Sequence, residues 1–238
     1  MPIHTGIPRR IPMTNNAALY RLLAWLSPSF PVGAFSYSHG LEFAVETGLV
    51  KNRDDLVAWI STLLRHGSAL SDAMLFVAGW RALDAEDTSA LQDIFDLSAA
   101  MRPTSELARE TQAQGAAFAR AIRSAWPHPA LDTVLRTAPA PGYPVIVAQC
   151  ARAHGIGMRD AMAAYLAAFT ANLISAGVRL IPLGQTDGQI ALRLLEGDVS
   201  AATDMAENLP LSEIGSATPM LDYCSAQHET QYTRLFRS

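Results

Sequence analysis

The chain has 238 residues, half of them hydrophobic, with a formal net charge of −4 and an isoelectric point near 5.8. This composition excludes a disordered chain, and a chain without a broad basic excess is not expected to bind nucleic acid. There are two cysteines, Cys150 and Cys224, and the first residues contain no apolar run of the kind found in secretory signals. We therefore expect reduced thiols and a cytoplasmic location.

The first half of the chain has the periodicity of helices. Residues 1–14 contain three prolines and are predicted to form a flexible tail. From Asn15 onward leucines recur every three or four residues, which predicts an amphipathic helix that ends at Ser27. A helix near 38–47 follows, and Asn52 is placed to cap a longer helix that bends near Gly67.

The second half continues in the same way. We predict helices over 91–101, from Pro103 to Trp126, and over 144–154, 158–181, 187–196 and 198–208, with Gly197 separating the last two. Thr218 and Pro219 predict one more helix, to about residue 229. Because no segment alternates like a strand, the predicted fold is all-α: a single-domain helical bundle over 15–210 with about nine to ten helices.

One segment tests whether the chain enters a membrane. Residues 161–178 carry no charge over eighteen positions, which meets the minimum length of a spanning helix. The segment is mostly alanine, however, and contains Thr170, Asn172, Ser175 and Gly177. We interpret it as a central buried helix and expect no membrane association.

Motifs for catalysis are incomplete. The GxxxxGK[ST] phosphate loop is absent from the sequence, so no nucleotide cofactor is expected. Ser36 and Ser38 lie beside His39, but the sequence around them lacks the glycine spacing of a nucleophile elbow. These serines are better interpreted as helix caps.

Possible metal ligands are also too few for a closed site. His39, Glu42 and Glu46 have helical spacing, as do Cys224 and His228 with Glu229 beside them. We predict no metal site, although a helical metal-dependent hydrolase using His39 and nearby carboxylates remains the alternative. Glu106 and Glu110 are interpreted as part of a solvated helix face near Arg102 and Arg109.

Two segments have the composition of contact surfaces. The stretch SPSFPVGAFSYSHGLE, called here the 27–42 loop, combines rigid prolines with aromatic residues. Phe35 and Tyr37 either anchor this loop to the core or present it to a partner, and the sequence leaves both possibilities open. Residues 211–238, called here the C-terminal tail, mix arginine with scattered apolar residues. We expect this tail to be loosely packed in the free protein and to become ordered on a partner; the alternative is a tail that packs on its own domain.

Three separated motifs resemble one family. The stretch LAWLSPSFPVGAFSYSHGLE, the block ISAGVRLIPLGQTDGQ and the ending HETQYTRLFRS are similar to the urease accessory protein F (UreF) family, in the same order, over about residues 19–238. The resemblance implies an all-helical homodimer that is not an enzyme. It also implies a complex with UreD (also called UreH) and the GTPase UreG, which activates apo-urease by assembling its nickel centre.

The resemblance also suggests which residues bind partners. In that family the GTPase supplies the nucleotide chemistry and a separate chaperone delivers nickel, which agrees with the incomplete motifs above. We therefore predict no catalytic residue, metal ligand or cofactor. Partner binding is assigned to the 27–42 loop and the C-terminal tail, through Pro31, Gly33, Phe35, Tyr37, Glu42, Leu221, Tyr223, His228, Glu229, Arg234, Leu235 and Phe236.

Overall fold

The computed structural model describes residues 15–132 and 141–238, so the predicted flexible tail at 1–14 lies outside the described residues. Ten α-helices lie wholly within these ranges, which contain no strand, and this confirms the all-α prediction. Two short 3-10 helices, Ala34–Ser36 and Leu211–Glu213, interrupt the connections. The α-helices are α1 (Asn16–Trp25), α2 (Leu41–Glu46), α3 (Arg53–His66), α4 (Ser68–Asp84), α5 (Thr88–Ala100), α6 (Ser105–Ala125), α7 (Tyr143–Ala153), α8 (Met158–Leu180), α9 (Gln185–Asn208) and α10 (Pro219–His228).

Several helix starts follow from side-chain capping. Asn15 accepts a hydrogen bond from the amide of Ala18, and Asn52 accepts one from the amide of Asp55, as the sequence predicts. Helix α6 is capped by Thr104 and begins one residue later, so the predicted start at Pro103 is slightly early. A capping side chain satisfies an amide that has no partner within the helix.

Two glycines behave differently. At Gly67 the chain leaves helical geometry, which divides the predicted long helix into α3 and α4. The predicted break at Gly197 is wrong, because α9 continues through it from Gln185 to Asn208. Gly197 is exposed, and an interior glycine costs a helix only about 1 kcal/mol. The packing of α9 on α3, α4 and α8 outweighs that cost.

The core lies around α4 and α8. Helix α4 packs most extensively on α7, and Gly79 of α4 allows close approach because a Cβ there would lie 2.9 Å from a methyl of Val145. Helix α8 contacts α2, α3, α4, α7 and α9, the position expected for a central helix. By length and hydropathy α8 also qualifies as a membrane span, but half of its most apolar window is buried in the domain.

After α9 the chain crosses the end of the bundle. The hydroxyl of Ser71 donates to the carbonyl oxygen of Gly215 at 2.7 Å, and the amide of Ala217 donates to the carbonyl of His66 at 2.8 Å. Helix α10 then packs against α2. This route brings the C-terminal tail to the 27–42 loop.

Candidate functional site

The 27–42 loop is held on the central helix α8. Gly33 has a left-handed backbone with φ of 73° and leads into the 3-10 turn at Ala34–Ser36. From α8, Asn172 donates to the carbonyl of Ala34 at 2.7 Å and Arg179 donates to the carbonyl of Phe35 at 2.8 Å. These bonds fix the backbone of the loop.

The two loop aromatics point to different environments. Tyr37 is buried, and burial, with a contribution from the Glu110 charge, raises the pKa of its phenol. Phe35 is 63% exposed. The question left open by the sequence therefore has a divided answer: Tyr37 anchors the loop and Phe35 faces solvent.

The start of α2 is shaped by its neighbour α10. Gly40 has φ of 74°, and a Cβ at this position would lie 2.6 Å from the backbone nitrogen of Ser225. The residue before it, His39, also has a positive φ, of 53°, so it precedes α2 and does not share a helix face with Glu42. The N-cap position of α2 belongs to Gly40 and not to Ser38, but the hydroxyl of Ser38 accepts the amide of Glu42 at 3.4 Å, which is the capping contact predicted for it.

Glu42 is the main attachment point of the C-terminal tail. Its carboxylate accepts the backbone amides of Leu235 at 2.7 Å and Phe236 at 3.0 Å. It also lies 3.0 Å from Nε2 of His228. Glu42 is buried, and these three partners satisfy a charge that would otherwise be costly to remove from water.

His228 connects Glu42 to α6. Its Nδ1 lies 2.7 Å from a carboxylate oxygen of Glu106, and the ring is fully buried. Both contacts are hydrogen bonds when both ring nitrogens carry hydrogen, that is, when the ring is an imidazolium. Arg234 bonds the other oxygen of Glu106. Two buried carboxyl groups of the domain, Glu42 and Glu106, thus meet the side chains of His228 and Arg234 from the tail.

The last residues pair with the 27–42 loop. The amide of Arg237 donates to the carbonyl of Ser36 at 2.8 Å, and the amide of Ser38 donates to the carbonyl of Ser238 at 2.8 Å. The hydroxyl of Ser238 donates to Glu110 at 2.8 Å. The tail seat, defined here as Glu42, Glu106 and Glu110, therefore receives side chains or amides from five residues of the tail: His228, Arg234, Leu235, Phe236 and Ser238.

Glu229 makes a separate contact at the start of α6. One carboxylate oxygen accepts the amide and hydroxyl of Ser105, each at 2.8 Å, and the amide of Glu106 at 3.2 Å. The Ser105 hydroxyl bond, together with these amides, lowers the pKa of Glu229. A carboxylate at a helix N-terminus also interacts favourably with the helix dipole.

The expectation of a loosely packed tail is wrong for this chain. The error came from counting apolar residues, whereas the tail is held mainly by charge-assisted hydrogen bonds to buried carboxylates. Apolar burial adds to them at Phe236, whose ring lies 4.4 Å below the guanidinium of Arg179. The arrangement agrees with a tail that packs on its own domain.

The predicted partner-binding residues divide by exposure. Buried members position the loop and tail: Tyr37, Glu42, Leu221, His228 and Phe236. Gly33 is intermediate, and the exposed members are Pro31, Phe35, Tyr223, Glu229, Arg234 and Leu235. No contact tests their role in partner binding, which stays a prediction.

The possible metal ligands do not come together. Cys224 and His228 are fully buried, and burial raises the pKa of the Cys224 thiol. His39 bonds Glu110, while Glu46 bonds Gln231. Across 15–132 and 141–238, no group of three or more His, Cys, Asp and Glu side chains could hold a metal ion.

Sequence reasoning missed the importance of α6. Glu106 and Glu110 were assigned to a solvated face, but both are buried. Their spacing of four residues places them on one face of α6, where the residues beside them, Leu107 and Thr111, are also buried. The signal that could have identified them is this position of two acids on the apolar side of a helix.

These features define an all-helical protein whose loop and tail form one ordered surface. The family model described as UreF matches residues 50–196. The chain is 51% identical over 226 residues to "Urease accessory protein UreF" of Granulibacter bethesdensis (strain ATCC BAA-1260 / CGDNIH1), covering 94% of this chain and 96% of that one. It is 45% identical over 239 residues to the protein of the same name from Rhodopseudomonas palustris (strain HaA2), covering all of both chains.

A further relative with this name, from Bradyrhizobium sp. (strain BTAi1 / ATCC BAA-1182), is 49% identical over 224 residues, which cover 94% of this chain and 93% of its own. The chain belongs to the UreF family of urease accessory proteins. This confirms the resemblance inferred from the three sequence motifs.

Proposed function

We propose that this chain is a non-enzymatic adaptor that joins UreD (UreH) and the GTPase UreG and so promotes assembly of the nickel centre of apo-urease in the cytoplasm, without membrane association. The observation that carries the proposal is the ordered surface formed by the 27–42 loop and the C-terminal tail. Nickel is cargo in this proposal, and the described residues offer it no ligand cluster. The metal-dependent hydrolase is disfavoured, since His39 and Glu42 bind different parts of the fold.

The partner would contact the outer side of the docked tail. Tyr223 and Leu235 are 54% and 73% exposed, although residues next to them are buried. Phe35 is exposed on a loop whose backbone is fixed by α8. Large apolar side chains held on a rigid frame are favourable interface anchors, because little conformational entropy is lost when a partner covers them.

Affinity capture of UreD and UreG tests this proposal. Leu235→Ser and Tyr223→Ser should each weaken capture of UreD and lower urease activation, with an unchanged melting temperature. Leu194→Ser is the matched control, because Leu194 is similarly exposed but lies on α9. Equal capture by all three variants would contradict the proposed surface.

We further propose that the homodimer forms through the apolar face of α1. Leu19, Tyr20 and Leu23 are 50%, 69% and 66% exposed on this one helix. Leu19 and Leu23 line a groove together with two alanines of α8, Ala164 and Ala167. Covering such a face removes apolar area from water, which is the main favourable term in association.

Light scattering of the Leu23→Glu variant tests the dimer. We expect a dimer for the wild-type chain and a monomer of 25.6 kDa for the variant, with the helical circular dichroism retained. Leu49→Glu is the control, because Leu49 is 48% exposed outside this face. A monomeric wild-type chain would rule out the dimer, whereas a dimeric Leu23→Glu variant would place the interface elsewhere.

A further inference from the structure

A cavity beside the 27–42 loop contains buried polar groups without partners. The cavity volume is about 180 Å³, whereas a single water molecule needs only about 10–15 Å³ of cavity volume, so the cavity can hold a small organic molecule. The cavity is bounded by the loop, the start of α4, α6 and α8. Its walls are largely apolar, with Val32, Leu107, Phe169 and Leu173 among them.

Arg102 supplies the strongest signal. Its side chain is only 6% exposed, yet its Nε has no hydrogen-bond partner among the described residues. Asp72 pairs with Nη2 at 2.7 Å, so the donor of this guanidinium that is left for a ligand is Nε. The other oxygen of Asp72 accepts the hydroxyl of Tyr165 at 2.9 Å. Buried donors of a cation are costly to leave without acceptors.

His39, which also lines the cavity, gives an independent signal. Its backbone has the positive φ that non-glycine residues rarely adopt, a conformation often retained at functional sites. Its Nε2 lies 2.9 Å from Glu110, while Nδ1 is buried and has no partner in the described part of the chain. Burial disfavours the charged ring, but Glu110 outweighs it and the pKa of His39 is raised. A protonated His39 offers its Nδ1 hydrogen to an acceptor.

The geometry points to a binding site for a small monocarboxylic acid, with its carboxylate at Arg102 and His39 and its short apolar body against the walls. Two oxygens of a carboxylate can accept the unpartnered N–H groups, and such charge-assisted bonds are about twice as strong as neutral ones. A phosphate fits this site poorly. It would bring a second negative charge near Asp72 and Glu110, and it has no apolar part for the walls.

Binding of an acid at this site would also stabilise a contact of the C-terminal tail. Glu110 bonds His39 through one oxygen and Ser238 through the other. A carboxylate that holds His39 in its protonated form strengthens the His39–Glu110 pair. The bound acid would therefore stabilise the orientation of the Glu110 carboxylate, which accepts the hydroxyl of Ser238 at the end of the C-terminal tail.

Binding can be measured on the purified full-length chain in a buffer free of carboxylates. The probe is isobutyrate, compared with its neutral isostere isobutyramide and with inorganic phosphate, by ligand-observed NMR and by the shift in melting temperature. We expect isobutyrate to bind about ten-fold more tightly than isobutyramide, because a charge-assisted bond is replaced by a neutral one. Phosphate should bind more weakly than isobutyrate.

Three variants test whether isobutyrate binds at Arg102 and His39. Arg102→Lys keeps the charge beside Asp72 but removes the planar pair of donors, and should weaken isobutyrate about ten-fold. His39→Asn accepts the positive φ and replaces the ring that can carry a charge by a neutral amide, and should weaken binding by a smaller factor. Arg65 is an exposed arginine of α3 that pairs with Asp198, and the Arg65→Lys variant should bind isobutyrate as the wild-type chain does.

The proposal is overturned if isobutyrate does not bind the folded wild-type chain up to about 10 mM, an affinity weaker than any useful site. Equal binding of isobutyramide, or of phosphate, would overturn the carboxylate assignment. Unchanged binding by Arg102→Lys would also overturn it. If Arg102→Lys does not fold, His39→Asn and the isobutyramide comparison still decide. The assay uses no partner protein, so its outcome is independent of the adaptor role.

Discussion

The apolar core and the tail seat use different interactions to close the fold. In the core, Phe118 packs among Trp25, Phe30 and Tyr143, with ring centroids 5.2–6.2 Å apart. In the tail seat, Glu42 is surrounded by two backbone amides and His228. Apolar contacts are many and individually weak, whereas each contact of a buried carboxylate is strong and directional.

This difference determines how the stability of each region responds to a side-chain substitution. A truncated core side chain leaves a cavity that its neighbours partly refill, so the loss is graded. A missing partner in the tail seat leaves a buried charge or donor without compensation, and nothing nearby can replace it. We therefore expect core changes to destabilise the whole domain, and tail-seat changes to release the tail alone.

The largest effect is expected for Phe118→Ala. Phe118 is fully buried, and removing such a ring costs about 3–5 kcal/mol of the free energy of unfolding. Denaturant unfolding should show this loss as one cooperative transition, with the tail released at the same denaturant concentration. Phe35→Ala, at an exposed phenylalanine, should change the free energy by less than about 0.5 kcal/mol. A tail that detaches before the domain in Phe118→Ala would contradict the comparison.

The next effect is expected for Glu42→Ala. His228 and the amides of Leu235 and Phe236 lose their acceptor, which should weaken attachment of the tail by about 3 kcal/mol. Hydrogen exchange should speed up at these two amides, and proteases should cleave the tail, while α3 and α4 remain protected.

The control for this change lies one turn away on the same helix. Glu46 is exposed and bonds only Gln231 among the described residues, so Glu46→Ala should leave the tail protected. Equal release of the tail by both variants would show that Glu42 has no special role in holding it.

The fold could be predicted from the sequence more completely than the site. The spacing of apolar residues is a local property, and it located nearly every helix, including α8 and the start of α3 at Asn52. The contacts of Glu42 and Glu106 join residues more than a hundred positions apart. A carboxylate in an isolated sequence does not reveal whether a distant histidine or amide will meet it.

The failure at Gly197 has the same origin. Local propensity favours a break there, but packing of α9 on three other helices overrides it. The burial of Tyr37 and exposure of Phe35 also depend on α8, which lies far along the chain. Long-range contacts therefore decide both the continuity of α9 and the division of the loop aromatics.

A moderate effect is expected for Arg234→Ala. Arg234 is partly exposed and bonds Glu106, which keeps His228 as a second partner. Solvent screening reduces the value of the pair, so tail attachment should weaken by about 1 kcal/mol. Hydrogen exchange at Phe236 should report this loss, with little change in the melting temperature of the domain. Arg193→Ala, at an exposed arginine of α9, should leave exchange at Phe236 unchanged.

The smallest effect is a pH dependence that joins the tail seat to the cavity beside it. Glu110 raises the pKa of His39 above its ordinary value of 6.5, despite the opposing effect of burial. A histidine whose pKa is raised on folding contributes stability that is full below its unfolded value and is lost as the pH rises through the folded value. The wild-type chain should therefore lose free energy of unfolding relative to His39→Asn as the pH increases above 6.5.

Other titrating groups are shared by the two proteins and cancel in the difference. Denaturant unfolding of both proteins at a series of pH values above 6.5 measures this difference. Glu110→Gln removes the charge that raises the pKa of His39, so the free energy of unfolding of this variant should change less with pH. A difference between wild type and His39→Asn that stays constant with pH would show that the His39–Glu110 pair does not link protonation to stability.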